Sequence, residues 1–388
     1  MRYFTNKNIV CISDNCWNGR WYRKQHFMYR FAKNNNRILY VEPTVSLVGK
    51  SPGNVTGNRF FKSALEKIDK NIFLLKLPRA LPKRMNPTIS KINHIWFAKT
   101  IDRITRTLDM TNYVLWIYSP EYFSALKYFN NKKLVFDLTD DKAAFHKQKG
   151  ATYHFINECV CGLLEKSNLV IVTANTLFKQ YRSKAKGKIF HIPNGVDFEL
   201  FLKSRKDAPS ELKNVKRPII GFVGHLFIHL DYDLIDYIAD RNKNWSIVLV
   251  GPIGWGINKY IQRLKKRNNI YFLGDKKKEE VPRYISQFNV CINPFRVDQV
   301  SRSVNPLKIY EYLAYGKPVV SVRMEALEDE NISKAIGFAN NYEEFVGKIQ
   351  YWLENDSPDN ERYRIEIVKN YSWDNLFLEL NKICERFV

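Results

Sequence analysis

Residues 290–320 read VCINPFRVDQVSRSVNPLKIYEYLAYGKPVV. Val290 to Asn293 have the composition of a buried strand, a polar loop follows, and Asn305 with Pro306 announces a helix, as N-cap and first helical position. The first-turn N–H groups of such a helix point out of its end unpaired, beside the Lys308 ammonium, and favour an anion there. Glu311 follows Lys308 by three residues, so it lies on the same face one turn deeper, where a carboxylate can accept from two vicinal hydroxyls such as those of a ribose. Cation and carboxylate together point to a nucleoside diphosphate. Gly316 supplies a left-handed C-cap, and Lys317-Pro318 ends the helix before a Val-Val strand.

The same alternation of short β-rich runs and helical patterns extends in both directions. Strands are expected near residues 9–13, 38–41, 72–75, 114–118, 134–137, 169–173 and 189–192 in the first half. The second half repeats the pattern near 219–223, 247–250, 270–273, 290–293 and 319–322. This is the signature of an α/β protein with parallel sheets, arranged as two Rossmann-like domains. A polar run over 203–217 with a proline suggests the boundary, giving domains 1–205 and 206–370. From 371 to 388, Trp373, Leu376, Phe377, Leu380, Ile383, Cys384 and Phe387 recur at helical spacing and predict an amphipathic helix. The stretch 43–62 is irregular and long enough to suggest a mobile or functional loop.

A chain of 388 residues with 45% apolar and 14% aromatic content suits two folded domains. No apolar run reaches the ~20 residues of a membrane span, and the first ten residues do not read as a secretory signal, so a cytoplasmic protein is expected. The six cysteines have neither zinc-module nor disulfide-framework spacing, and no metal is expected. Net charge is +23, and residues 1–200 hold 33 Lys and Arg against 14 Asp and Glu. Such asymmetry suits a first domain facing an anionic membrane or a polyanion.

The segment around Lys308 resembles the GT-B glycosyltransferases, in particular the family 1/4-like bacterial enzymes of cell-surface polysaccharide synthesis, including the teichuronic-acid type, which carry P-x-K-x-x-E-Y-L-A-x-G-K-P-V-V. The resemblance extends to Pro193-Asn194-Gly195-Val196-Asp197, to Ile219-Ile220-Gly221-Phe222-Val223-Gly224 and to Phe136-Asp137-Leu138-Thr139-Asp140-Asp141. It implies two Rossmann-like domains facing each other across a cleft, with the final helix crossing back to the first. It further implies a metal-independent hexosyl transfer from a nucleotide sugar, more commonly uridine-linked, to a lipid-linked or polysaccharide acceptor, with no cofactor. No nucleic-acid partner is expected, and the basic first domain would rest on the anionic inner leaflet as a peripheral membrane protein. The common retaining family has a Glu where Ser303 stands here, so the sequence leaves the anomeric outcome open.

The resemblance sets Gly224 opposite Lys308 at the donor diphosphate, and assigns the base to the strand end carrying Phe272 and Gly274. Arg296 or Arg302 would add a second cation, beside Asn305, Lys308 and Glu311. The acceptor hydroxyl would lose its proton to a carboxylate of the first domain. Asp140 is the first choice, Asp137 and Asp141 are its neighbours, and Asp14 follows. Trp21 and Arg23, in a helix that mixes aromatics with basic residues, are candidate acceptor contacts. A second basic amphipathic stretch over 86–108 carries Ile89, Ile92, Trp96, Ile101 and Ile104 with Lys91, Lys99, Arg103 and Arg106, preceded by Lys83 and Arg84. Burial against a sheet and attachment to a membrane both account for it. Two competing functions are a sugar-nucleotide epimerase, which needs no acceptor surface, and a nonenzymatic polyanion or nucleic-acid binder, which would show no preference for a nucleotide sugar.

Overall fold

Parallel strands covered on both faces are apolar along their whole length, and the runs NIVCI, VLWI and LVIV form such strands here. In the first half these are β1 (Asn8–Ile12), β2 (Arg37–Val41), β4 (Ile72–Lys76), β5 (Val114–Ile117), β6 (Lys133–Leu138), β7 (Leu169–Val172) and β8 (Ile189–His191). An additional strand, β3 (Ala64–Asp69), pairs antiparallel with β4 at the sheet edge. The order is β3-β4-β2-β1-β5-β6-β7-β8, with every other pairing parallel. The chain reverses its direction of travel between β1 and β5.

The second half forms β9 (Ile219–Val223), β10 (Ser246–Val250), β11 (Ile270–Gly274), β12 (Val290–Asn293), β13 (Val319–Val322) and β14 (Ile336–Ala339). Their order, β11-β10-β9-β12-β13-β14, is the doubly wound 3-2-1-4-5-6 arrangement, all parallel. Its switch point lies between the carboxyl ends of β9 and β12, where ligands of such sheets bind. A core of residues from Val196 to Tyr371 surrounds this sheet.

The computed structural model describes residues 4–47, 62–82, 86–131, 133–146, 150–203, 208–328 and 331–388. Most of the irregular stretch 43–62, together with Lys83 and Arg84, lies outside the described residues. Two units result, Met1–Pro193 with Phe377–Val388, and Asn194–Leu376. The division thus falls at Pro193 rather than at residue 205. Val196, Phe201 and Leu212 are buried in the second core and belong to that unit.

The last helix, Trp373–Phe387, serves both units. At its start the Trp373 N–H donates to the Val196 carbonyl at 3.1 Å. Further along, Phe377 meets Phe31 and Phe387 meets Phe190, each with ring centroids 5.0 Å apart. All six cysteines are unpaired.

Candidate active site

At the switch point of the second sheet the helix Leu307–Ala314 begins. Its capping residue is Pro306, with an extended ψ of 117°, and no side chain caps it. This corrects the expectation for Asn305, which stands one residue too early for its side chain to reach the N–H groups of the first turn. Asn305 is instead 4% exposed, and neither polar atom of its amide has a hydrogen-bond partner. Its carbonyl accepts from Asn194 Nδ2 at 2.8 Å, so the Asn194-Gly195 turn braces the start of this helix. At the other end Gly316 has a φ of +70°, and the Gly316 and Lys317 N–H groups donate to Leu313 and Tyr312, closing the expected left-handed cap.

Tyr312 sets the helix against the sheet. Its hydroxyl accepts from the Val223 N–H at 2.7 Å, at the end of β9. Lys308 lies one turn earlier on the same face and is thereby brought to Gly224, the next residue after β9. The Lys308 ammonium sits 4.5 Å from the ring centroid of Phe295 and 5.2 Å from that of Phe222. Gly224 has a φ of +152°, and a Cβ there would stand 2.9 Å from Lys308 Cε, so only glycine leaves the lysine its place. Burial lowers the Lys308 pKa to about 8, and the Glu311 carboxylate opposes that shift only in part. Half-buried and without a full counter-charge, this ammonium favours an anion beside it.

The carboxyl ends of β9, β10 and β11 are bound together beside this corner. Gly251, after β10, backs against the Gly224 carbonyl, and its N–H donates to the Gly274 carbonyl at 2.8 Å. Phe272 is partly buried against the same core. Arg296 follows Phe295 directly, donates to Tyr260 Oη at 3.2 Å and lies over that ring. Arg302 is exposed and paired with Glu325 at 3.3 Å, on the surface. The structure therefore gathers Gly224, Lys308 and Glu311, keeps Gly274 at the end of β11 and Arg296 in the loop after β12, and pairs Arg302 with Glu325 on the surface. Phe295 and Tyr312 were missed in the sequence, although Tyr312 stands at the i+4 position of Lys308.

In the first unit the acidic island divides. Asp137 is fully buried, and Arg23 Nε reaches its two oxygens at 3.0 and 3.1 Å. Arg23 is itself 1% exposed, and its Nη1 donates to the Ile192 and Pro193 carbonyls at 2.8 and 2.9 Å. The expectations of Asp137 as a base and of Arg23 as an acceptor contact are corrected accordingly: the two are buried against each other, Arg23 Nη1 is taken up by the end of this unit, and its Nη2 is buried without a hydrogen-bond partner. Trp21 is half-buried against Trp17, His26 and Tyr29.

Asp140 lies just beyond β6, accepts from Thr139 Oγ1 at 3.0 Å and pairs with Lys142 at 3.6 Å. Lys142 also reaches Asp14 at 2.9 Å, and Lys24 reaches the other oxygen of Asp14 at 2.5 Å. Burial would raise the Asp14 carboxyl, but Lys142 and Lys24 hold it well below the usual range. Burial would equally lower Lys142, yet Asp14 and Asp140 hold it above the ordinary lysine value. A carboxylate so strongly stabilised as an anion is a weak base, which tells against Asp14. This cluster follows β1 and β6, close to the switch point of the first sheet. Among the described residues no group of three or more His, Cys, Asp or Glu side chains could hold a metal ion.

Residues 203–370 match the family model of glycosyl transferases group 1. The putative teichuronic acid biosynthesis glycosyltransferase TuaH of Bacillus subtilis (strain 168) is 25% identical over 228 residues, which is 57% of this chain and 57% of that protein. Among solved structures, sucrose-phosphate synthase from Thermosynechococcus elongatus superimposes with a TM-score of 0.73 at 14% identity, over 98% of this chain and 99% of its own. The E. coli trehalose-6-phosphate structure bound with UDP-2-fluoro glucose gives 0.71 at 12% identity, over 98% and 100%. HepE of Anabaena in complex with UDP gives 0.64 at 12% identity, over 98% and 100%. The chain thus has the GT-B fold along its length, and its residues 203–370 carry the sequence of glycosyl transferases group 1.

Proposed function

We propose that the protein moves a hexose from a uridine-diphosphate sugar to a hydroxyl of a lipid-linked or polysaccharide acceptor in cell-surface glycan synthesis. The observation that carries this reading is the half-buried Lys308 ammonium against Gly224 at the switch point of the second sheet. The first turn of the helix Leu307–Ala314 and Lys308 would receive the diphosphate, and Glu311 the ribose hydroxyls. The bond from the sugar C1 to the diphosphate oxygen breaks as the bond from C1 to the acceptor oxygen forms. Charge that develops on the leaving oxygen is met by Lys308, the helix dipole and Arg296, which suffices without a metal. In an inverting reaction the acceptor proton passes to Asp140. Cytoplasmic placement belongs to the same reading, because nucleotide sugars and the inner leaflet are both reached from there. The name of the teichuronic acid relative supports the cell-surface role, and the UDP-bound structural neighbours support the nucleotide.

The reading is tested by supplying UDP-hexoses with an extract of bacterial membranes and following both UDP release and label in the lipid phase. Transfer in the wild type, with a fall of about 10²–10⁴-fold in Asp140→Asn at an unchanged melting temperature, is expected. UDP release without any transfer, or label moved equally well by Asp140→Asn, would count against it.

A further inference from the structure

The second sheet has a cavity at the end opposite its switch-point corner. Arg217, Asn289 and Pro318 stand before β9, β12 and β13, and with Gly316, Lys317 and Glu361 they line a space of about 630 Å³. That is the size of a small-molecule site. Ligands of doubly wound sheets bind at the carboxyl ends of the strands, so a nucleotide beside Lys308 leaves this space without a task. The helix Leu307–Ala314 separates the two places: Lys308 is at its start, Lys317 lies beyond its last turn, and eight residues rise about 12 Å.

Two cations of the cavity have no counter-charge in contact. Lys317 is half-buried. Burial lowers its pKa, the charge of Arg217 adds to that, and Glu361 and Asp356 oppose the shift only in part. Arg217 Nη1 donates to the Gln287 carbonyl at 3.1 Å and to Asn289 Oδ1 at 3.0 Å, and its Nη2 donates to Gln287 Oε1 at 3.0 Å. These neutral acceptors fix the guanidinium in place, bring it no negative charge and leave further N–H groups of the fork for a ligand. A third cation lies behind the wall. Arg364 is 2% exposed, its Nε donates to the Gly316 carbonyl at 2.8 Å, and its Nη1 is buried without a hydrogen-bond partner. Its Nη2 holds the two oxygens of Asp356, one of the two carboxylates in the lining, at 2.6 and 2.9 Å. Arg217, Lys317 and Arg364 thus outnumber Asp356 and Glu361. The dipole of the helix that ends at Tyr315 accounts for a cation beside Gly316, which Lys317 and Arg364 supply, but not for Arg217, which ends no helix.

We propose that this cavity binds a small sugar phosphate, with the phosphate between Arg217 and Lys317 and the hydroxyl-bearing body towards Asn289 and Glu361. A guanidinium fork beside an ammonium suits a doubly charged phosphate, and an amide with a carboxylate suits hydroxyl groups. Calorimetric titration of the full chain with glucose-6-phosphate, inorganic phosphate and glucose tests it. The titrations are made on the wild type, on Lys308→Ala, which removes the cation of the switch-point corner, and on Arg217→Gln and Lys317→Gln, with melting temperatures alongside. Glucose-6-phosphate is expected to bind the wild type and Lys308→Ala alike. Arg217→Gln and Lys317→Gln should each weaken it about tenfold or more at an unchanged melting temperature, and Arg217→Lys should restore part of the loss. Inorganic phosphate should bind about tenfold more weakly, and glucose not measurably. A wild type that takes up no glucose-6-phosphate would overturn the proposal. So would binding that Lys308→Ala abolishes and Arg217→Gln leaves intact, since the phosphate would then sit at the switch-point corner. Equal affinity for inorganic phosphate would overturn it as well, because the sugar would then contribute nothing.

Discussion

The helix start beside Lys308 was legible in the sequence, but the desolvation of the lysine was not. That depends on Phe222 and Phe295, which are distant from it in sequence and meet it only when the strands pair. The low pKa has a testable consequence. The free lysine titrates at about 8, and a bound diphosphate stabilises the ammonium and raises that value. Binding is therefore full below pH 8 and weakens as pH rises above it, by up to about tenfold per pH unit. Calorimetric titrations with UDP between pH 6.5 and 9.5 check this, and Lys308→Arg should flatten the profile, since a guanidinium stays charged throughout. A second expectation concerns Gly224→Ala. Its methyl would press on Lys308 Cε in a backbone conformation that side chains rarely adopt, so a stability loss of about 1–3 kcal/mol and weaker nucleotide binding should follow together. Asp137 shows the limit of the sequence at this scale. Nothing in the run from Phe136 to Asp141 tells a buried ion-pair carboxylate from an accessible one, because the partner Arg23 lies 114 residues away.

Most strands could be read from their apolar runs, and the two that were not have clear reasons. β3 is an exposed edge strand of mixed charge, ALEKID, with no buried face to create a pattern. β14 is four residues long and contains a glycine, IGFA, so its pairing with β13 rather than its composition makes it a strand. The pairing of elements also separates structure from chemistry in the first unit. Asp137→Asn leaves Arg23 buried without its counter-charge and should cost about 3–5 kcal/mol in urea denaturation. Asp140→Asn alters a partly exposed group and should leave the transition nearly unmoved. If both variants unfold alike, the distinction between the two carboxylates fails. In the second unit, Tyr312→Phe removes the acceptor for the Val223 N–H and should cost about 1–3 kcal/mol. It should also loosen UDP binding, because the same contact brings Lys308 to Gly224.

Across the molecule, two α/β units were apparent from strand spacing, while their division was not. The charged run over 203–217 has the composition of a linker, yet Phe201 and Leu212 at its margins are core residues of the second unit. Sheet order likewise emerges only from pairing, and it supplies the strongest argument for the site. A doubly wound sheet offers one switch point, and Lys308, Gly224 and Glu311 of the sequence motif gather beside it. The uneven charge of the chain is expressed at the same scale, with the exposed cations of the helix Pro87–Thr107 forming one part of a basic first half. The claim on which the rest depends is that this corner of the second sheet holds a nucleoside diphosphate. Calorimetric binding of UDP and GDP to the wild type, Lys308→Ala and Glu311→Ala tests it most directly. The account predicts binding of UDP by the wild type, lost in both variants while their melting temperatures hold. A wild type that binds neither nucleotide, or variants that bind UDP as the wild type does, would contradict it.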